Sequence, residues 1–404
     1  MTASSIFKLK GQSTAFLTAF GHGGEHWVGA TFFILLPYIK NDLGITYFEA
    51  GVLVALYHAS AFVSNFAGAA AIDMSGRRVI FLVASLTCSG FALLSAGFAQ
   101  SYIVLCALIS IIGAGNYLWH PASISFLSEQ FPDNKGYIFS IHGLGASIGD
   151  MVAPVVAGIL IAAFSWQQTA MINSVPVLIA ALVLLIFLLP RETKPKNSDN
   201  KGLTWNTYVE SFKSLIKDKM ILGLAGIASS RQVAQAVLVM FIPFYLADVL
   251  KVSPWFVGAG LAAVHAGGFI AAPIAGTVSD RIGRRPIIQA GLLGSTILVL
   301  ALTFIDNTTL YISCLAGIGF FLFATRPVLL GWMMDIAPPE MGASATGTVF
   351  GIQSIFAMFA PLIGGVIADS YGITAVFYFA AVAIIISNLI AALLPKDTPA
   401  PSAT

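Results

Sequence analysis

The sequence predicts an all-α integral membrane protein, with twelve transmembrane helices in two pseudo-symmetric six-helix bundles. Its composition is the first reason: 57% of the 404 residues are hydrophobic and 9% are charged, whereas soluble domains carry about 25% charged residues. Twelve apolar segments are each long enough to cross a bilayer, which takes about 20 residues of helix. The second half of the chain also repeats motifs of the first half at a nearly constant offset.

The apolar segments are dominated by Leu, Ala, Ile and Phe and lack the alternation of membrane β-strands. We place them at residues 14–39, 48–71, 79–98, 101–126, 137–163, 168–189, 220–248, 254–278, 286–304, 308–334, 344–368 and 373–394. The first segment is long and lacks a small-residue cleavage site, so we expect it to remain as the first helix rather than to be removed as a signal.

One long polar connection divides six segments from six. Its first part is rich in Lys, Asn and Pro and is typical of a flexible linker. Apolar residues then recur at helical spacing from Trp205 to Ile216, which indicates a helix lying on the membrane surface. We therefore predict an amino-terminal bundle at 1–189, a linker with an amphipathic helix at 190–219, and a carboxy-terminal bundle at 220–404.

The positive charges predict the orientation. Of the 20 Lys and Arg residues, 16 lie in the two termini and in alternate loops, and the opposite loops hold only Lys40 and Lys251. By the positive-inside rule both termini are cytoplasmic, and an even number of spans agrees. We expect a multi-pass protein of the cytoplasmic (inner) cell membrane.

The repeat is clearest in two motifs. The stretch 113–136 is echoed at 319–342, with His120-Pro121 answered by Arg326-Pro327 at an offset of 206. Asp73-x-x-Gly-Arg-Arg78 is answered by Asp280-x-x-Gly-Arg-Arg285 at an offset of 207. Two parallel six-helix repeats imply a pseudo-twofold axis along the membrane normal.

These residues resemble a known family, the major facilitator superfamily of secondary transporters. Residues 276–286 look like a full copy of its loop signature, of which the first-half copy is degraded. Residues 149–158 are similar to the family's antiporter motif, whereas Ile109 stands where its helix 4 arginine is expected. The HPAS and FPDNKG pair most resembles the fosmidomycin-resistance-like branch. The resemblance implies alternating access around a central cavity lined by helices 1, 4, 7 and 10.

All six histidines fall inside predicted spans, where polar rings are costly unless they face a cavity or partners. As a set they indicate a water-filled cavity, although any single one is explained by an interhelical hydrogen bond. His22 and His26, four residues apart on one face, are also compatible with a metal site near Glu25. Because the cavity explains the same residues, we predict no metal and no cofactor.

Glu25 and Asp150 are acids within spans. A carboxyl group that takes up a proton loses its charge while the site changes sides, which suits a proton carrier. We predict Glu25 as the proton-coupling residue, with Asp150 and His142 as further candidates. The alternatives are a fixed ion pair of Glu25 with Arg231, and an interhelical hydrogen bond or a cap at a kink near Pro154 for Asp150.

Arg231 and Arg326 are permanent cations within spans, and guanidinium groups bind carboxylate or phosphonate oxygens in pairs. Proline after His120 and Arg326 locally opens the helix, so we expect both side chains to face the site. These cations favour an anionic substrate; the alternative is that they only neutralise Glu25 and Asp150. The predicted substrate-binding residues are His120, Arg326, Arg231, His26, His22, Tyr117, Asn116, Gln232, Gln235, His58 and His265.

The two repeated loops are predicted to gate transport through ion pairs and helix-end contacts that exist in one conformation only. The gating residues are Asp73, Arg77 and Arg78 in the first loop and Asp280, Arg281, Arg284 and Arg285 in the second. Positive-inside charge explains the arginines but not the Asp-x-x-Gly spacing.

We therefore expect a monomeric, proton-coupled secondary transporter that exports a small organic anion or drug by antiport. Proton-coupled uptake of an organic anion by symport is the alternative, and a membrane sensor without transport is a weaker one, because a sensor has no need of two symmetric latches. We expect neither an enzyme nor a nucleic-acid binder. The sequence has no Gly-rich Lys loop for ATP.

Overall fold

The structure, a computed structural model, describes residues 11–192, 217–336 and 342–395. Within these ranges the chain forms twelve long α-helices. They are α1 Gln12–Leu43, α2 Tyr47–Ser75, α3 Val79–Ala96, α4 Tyr102–Gln130, α5 Lys135–Ile161, α6 Trp166–Phe187, α7 Lys219–Phe244, α8 Pro254–Ile282, α9 Arg284–Ala301, α10 Thr308–Ile336, α11 Gly342–Tyr371 and α12 Ile373–Leu393. A π-helical turn, Tyr245–Val249, extends α7. The predicted amphipathic helix at 205–216 lies outside the described residues.

Eleven of these helices are long and apolar enough to span a membrane by length and hydropathy. The exception is α1, which has 32 residues but carries His22, Glu25 and His26 in its middle. His22 and Glu25 are buried within the protein, so the polar face of α1 is turned toward protein. The low hydropathy of α1 therefore comes in part from polar residues that are buried in the protein.

The described residues form two compact units. The amino-terminal unit comprises the residues up to Ile39 and those from Leu56 to Glu192, and the carboxy-terminal unit comprises Lys40–Ala55 and the residues from 217 onward. In the carboxy-terminal unit the start of α2 is held by one acidic side chain. The backbone amides of Tyr47 and Phe48 donate to Asp369 at 2.9 and 2.8 Å, which satisfies donors that a first helical turn leaves free.

The repeat seen in the sequence recurs in the packing. In the amino-terminal unit, a Cβ on Gly113 of α4 would lie 2.2 Å from the backbone oxygen of Tyr57 in α2. In the carboxy-terminal unit, a Cβ on Gly319 of α10 would lie 1.8 Å from the backbone oxygen of Val264 in α8. Glycine thus permits the same backbone-to-backbone contact in both units, at positions 206 and 207 residues apart.

A second close approach joins α1 to α5. A Cβ on Gly145 would lie 1.9 Å from the backbone oxygen of Ala19, and a Cβ on Gly149 would lie 2.4 Å from that of Gly23. Small residues four apart on both helices therefore let the two backbones touch, as in many membrane helix pairs. This contact brings the polar residues of α5 against those of α1.

Candidate functional site

Glu25 is enclosed by hydroxyl groups of the neighbouring helix α3. Its side chain is 1% exposed. The Ser85 hydroxyl lies 2.5 Å from Oε1 of Glu25, and the Ser89 hydroxyl lies 3.0 Å from Oε2. The amide of Asn116 in α4 donates to the Glu25 backbone oxygen at 2.7 Å. Two hydroxyls of α3 therefore hold the carboxyl group, and an amide of α4 holds the backbone of the same residue.

The hydrogen bonds of Ser85 bear on the protonation of Glu25. The Ser85 hydroxyl also lies 2.7 Å from the backbone oxygen of Gly115, which can only accept. A hydroxyl has one hydrogen to donate, so an ionised Glu25 and Gly115 would compete for it. If Glu25 is protonated, it donates to Ser85 and Ser85 donates to Gly115, and both contacts are satisfied. The geometry therefore favours the neutral acid.

Four imidazole rings lie together where α1 meets α4 and α5. His22 is buried, and its ring stacks on that of His142 at 3.9 Å with 7° between the planes. Nδ1 of His22 lies 2.9 Å from the backbone oxygen of His142. His26 and His120 meet His22 edge-on, with ring centroids at 4.7 and 5.4 Å. The structure thus gathers His22, His26, His120 and His142 into one cluster.

Two further predicted residues border this cluster. Asp150 of α5 lies 3.0 Å from Nδ1 of His26 through its Oδ2, which is an interhelical contact of the kind weighed for this aspartate. Tyr117, one turn before His120 on α4, meets the His120 ring edge-on at 5.5 Å. Trp119 is fully buried and lies parallel to the His22 and His142 rings at 6.1 and 6.2 Å.

A second polar centre lies in the carboxy-terminal unit around Arg231 of α7. Arg231 is 1% exposed. Its guanidinium donates to the side-chain oxygens of Gln235 at 2.6 Å and Gln232 at 3.0 Å, and Gln353 of α11 donates to Gln232 at 3.2 Å. Among the described residues Nε of Arg231 has no hydrogen-bond partner. Amide oxygens carry no net charge, so the positive charge of Arg231 remains available to an anion.

Arg231 and Arg326 line one crevice, whose empty volume is about 330 Å³ when the adjoining open solvent is included. Arg326 reaches it from α10, which continues as a helix through Pro327. The rest of the lining is Gln353 and apolar side chains from α7, α10 and α11. The crevice therefore combines two guanidinium groups with an apolar wall, which suits an anion that also has an apolar part.

The remaining predicted histidines have aromatic neighbours. The ring of His58 meets Tyr57 edge-on at 5.3 Å, and that of His265 meets Phe323 at 5.6 Å. His58 and His265 occupy corresponding positions in the two units. Among the described residues, the three histidines whose ring nitrogens approach one another are His22, His26 and His120, and neither His58 nor His265 belongs to this group.

The repeated loops form ion pairs within their own units. Arg78 lies 2.5 Å from Glu129 at the end of α4. In the other unit Arg284 pairs with Asp280 and lies 3.0 Å from Asp335 at the end of α10, and Arg285 donates to the Leu394 backbone oxygen at 2.7 Å. Arg77 and Arg281 are exposed. These contacts connect the loops to the ends of α4, α10 and α12. That the loops act as gates stays a prediction.

Both loops place a glycine at a positive φ. Gly76 has φ 63° and Gly283 has φ 98°, a region that side chains with a Cβ disfavour. The Asp-x-x-Gly spacing therefore encodes a backbone turn in addition to its charges.

Sequence reasoning missed the two serines that hold Glu25 and the glutamine that supports Arg231. Ser85 and Ser89 are four residues apart in α3, so they share a helix face, and that spacing was the available signal. Gln353 carries no comparable signal, since a single amide in an apolar helix does not reveal its partner.

A bundle of helices long and apolar enough to span a membrane, with buried ionisable residues and a cation-lined crevice, is the architecture of a polytopic membrane protein with a polar internal site. The chain belongs to the Major Facilitator Superfamily, whose sequence profile matches residues 15–353 and 233–404. It is thus a multi-pass membrane transporter and not an enzyme.

Similar sequences support this family assignment. The chain is 30% identical over 392 residues to the multidrug resistance protein MdtG of Enterobacter lignolyticus (strain SCF1), covering 92% of this chain and 90% of that one. It is 27% identical to MdtG of Klebsiella pneumoniae (strain 342), covering 93% and 92%. Among solved structures, a bacterial homologue of the human lysosomal transporter Spinster matches with a TM-score of 0.80 at 15% identity, covering 94% and 97%. The nucleoside transporter NupG matches with a TM-score of 0.79 at 15% identity, covering 95% and 100%.

Proposed function

We propose that the protein exports a small organic anion or drug across the cytoplasmic membrane in exchange for protons, by alternating access. The observation that carries the proposal is the buried guanidinium of Arg231, which is held by neutral amides beside Arg326 in a largely apolar crevice. The relatives named as multidrug resistance proteins support the drug class. The antiporter-like motif at 149–158 supports exchange.

The substrate-binding role is proposed for Arg231 and Arg326, with Gln232, Gln235 and Gln353 fixing the first guanidinium. A charge-assisted contact is worth about 1.5–3 kcal/mol, which is about ten- to a hundredfold in affinity. Arg326→Ala is therefore expected to weaken binding of an organic anion by that factor. Arg326→Lys is expected to recover only part of it, because the two-pronged donor is lost.

The test is flux into and out of proteoliposomes across a panel of carboxylates, phosphonates and cationic drugs, with and without an imposed pH gradient. Lys135→Ala is the matched control, since it removes an exposed positive charge from the start of α5. Uphill movement opposite to the proton gradient supports exchange, whereas movement with the protons would establish symport. A cationic substrate whose affinity is unchanged in Arg326→Ala would overturn the anion proposal.

Proton coupling is proposed to use Glu25, with Asp150 and His142 as the next candidates. The supporting geometry is the hydrogen-bond arrangement of Ser85, which is complete only when Glu25 carries a proton. A buried carboxyl group that can be neutral meets the main requirement of a proton carrier within a membrane.

A further inference from the structure

Three imidazoles of the amino-terminal unit converge on one point. One ligand nitrogen from each of His22, His26 and His120 lies within 4.8 Å of the other two. The three ring planes are nearly perpendicular to one another, at 86°, 89° and 81°. The three rings are therefore not stacked on one another, and the separations of at most 4.8 Å between the nitrogens place those atoms around a shared centre.

The hydrogen bond of His22 determines which nitrogen is presented. A backbone oxygen can only accept, so Nδ1 of His22 carries the hydrogen that binds His142. In the neutral ring Nε2 then holds a lone pair. Nε2 is buried and has no hydrogen-bond partner among the described residues, and the residue is 6% exposed. A buried polar nitrogen without a partner is costly, and a bound ligand would remove that cost.

His26 is held in the same way by a carboxylate. Its Nδ1 lies 3.0 Å from Asp150, so the tautomer that donates to Asp150 leaves Nε2 as the second lone pair. Histidines that bind metals almost always donate their other ring nitrogen to a carboxylate or a backbone oxygen, which fixes the ring and raises its basicity. For His22 the acceptor is the backbone oxygen of His142, and for His26 it is the carboxylate of Asp150.

The spacing fits a first-row divalent ion after a small contraction. Two nitrogens bound to one tetrahedral Zn²⁺, each at about 2.0–2.1 Å, lie about 3.4 Å apart. The rings would therefore move together by up to about 1.4 Å, which side-chain rotation supplies. Imidazole suits Zn²⁺, Cu²⁺ and Ni²⁺, whereas Mg²⁺ and Ca²⁺ prefer oxygen ligands.

Contrary to the prediction of no metal made from the sequence, we propose that His22, His26 and His120 form a binding site for a divalent transition-metal ion of the Zn²⁺ class, with His142 and Asp150 as the supporting residues. Three protein ligands leave a fourth position open to water or to an oxygen of another molecule. The site lies in the amino-terminal unit, whereas the Arg231 crevice lies in the carboxy-terminal unit, so the two can be tested separately.

The test uses the full chain, purified in detergent without a polyhistidine tag and stripped with a chelator. Co²⁺ is the probe, because its visible absorption reports four-coordinate geometry, and Zn²⁺ then displaces it since it binds such sites more tightly. We expect one Co²⁺ per chain, with the four-coordinate spectrum. No such spectrum in the unaltered protein would overturn the proposal.

Variants locate the ion and separate binding from folding. His22→Gln and His120→Gln are expected to abolish the spectrum, and His265→Gln, a membrane histidine of the other unit, is expected to retain it. Asp150→Asn keeps all three ligands and is expected to weaken Co²⁺ binding by about 10- to 100-fold. This variant remains decisive if a histidine variant fails to fold. Co²⁺ binding that is equal in all folded variants would place the ion elsewhere and refute the site.

Discussion

Replacing Gly145 by alanine is expected to push α5 away from α1 and to destabilise the amino-terminal unit. The added Cβ would lie 1.9 Å from the backbone oxygen of Ala19, whereas real Cβ contacts are essentially never shorter than 3.0 Å. The helices must therefore separate locally by about 1 Å. The bond between Nδ1 of His22 and the His142 backbone oxygen, now 2.9 Å, would then exceed the usual hydrogen-bond range.

Two costs add in this variant. Forcing an extra methyl group into a packed contact costs about 1–3 kcal/mol, and leaving a buried donor without its acceptor costs about 1–3 kcal/mol. The free energy of unfolding should therefore fall by about 2–6 kcal/mol. The assay is thermal or denaturant unfolding of the purified protein in detergent, followed by intrinsic fluorescence.

Gly143→Ala is the matched control, two residues earlier in α5. A Cβ at Gly143 meets nothing within 4 Å, and alanine is a better helix former than glycine by about 1 kcal/mol. This variant should be unchanged or slightly more stable. If Gly145→Ala and Gly143→Ala unfold alike, the close contact of α1 with α5 is not what holds this unit together.

Three other substitutions follow from the geometry. Gly283→Ala should lower the free energy of unfolding by about 1–3 kcal/mol, because φ of Gly283 is 98°. Gly276→Ala is the control, since a Cβ there meets nothing within 4 Å, and it should not lower stability. Equal stabilities of the two variants in an unfolding assay would contradict this prediction. Ser85→Ala leaves the buried Glu25 one partner short and should lower stability by about 1–3 kcal/mol, while Ser295→Ala loses only a bond to a carbonyl of its own helix and should cost less. Glu25→Gln should abolish accumulation driven by a pH gradient but preserve substrate exchange; normal uphill transport would assign the proton to another group.

The fold was predictable because membrane helices are coded locally. Apolar length marks each span, so the twelve predicted segments correspond to α1–α12. The ends of the helices were less predictable, because capping residues determine them. For example, Ser165 and Gln168 form a capping box, so that α6 begins at Trp166. The apolar run had placed this start two residues later, at 168. The span of α1 is the least typical because it carries polar residues, yet its predicted range of 14–39 lies within the helix Gln12–Leu43.

The candidate site was predictable in its residue types but not in its partners. His22 and His26 share a helix face by spacing alone. That His142 and Asp150 join them depends on the contact of α1 with α5, which Gly145 permits. A glycine that allows two backbones to touch looks the same in sequence as one that does not, as Gly143 shows. Such pairings belong to the tertiary structure and carry no local signal.

The two repeated loops have diverged in how they use the same charges. Glu129 and Asp335 occupy corresponding places 206 residues apart. Glu129 pairs with Arg78, which is the later of the two arginines in its loop. Asp335 pairs with Arg284, which is the earlier of the two arginines in its loop. If the halves descend from one duplicated ancestor, the ancestral ion pair has been rewired in at least one of them. The same Gly-Arg-Arg sequence therefore supports a different ion pair in each unit.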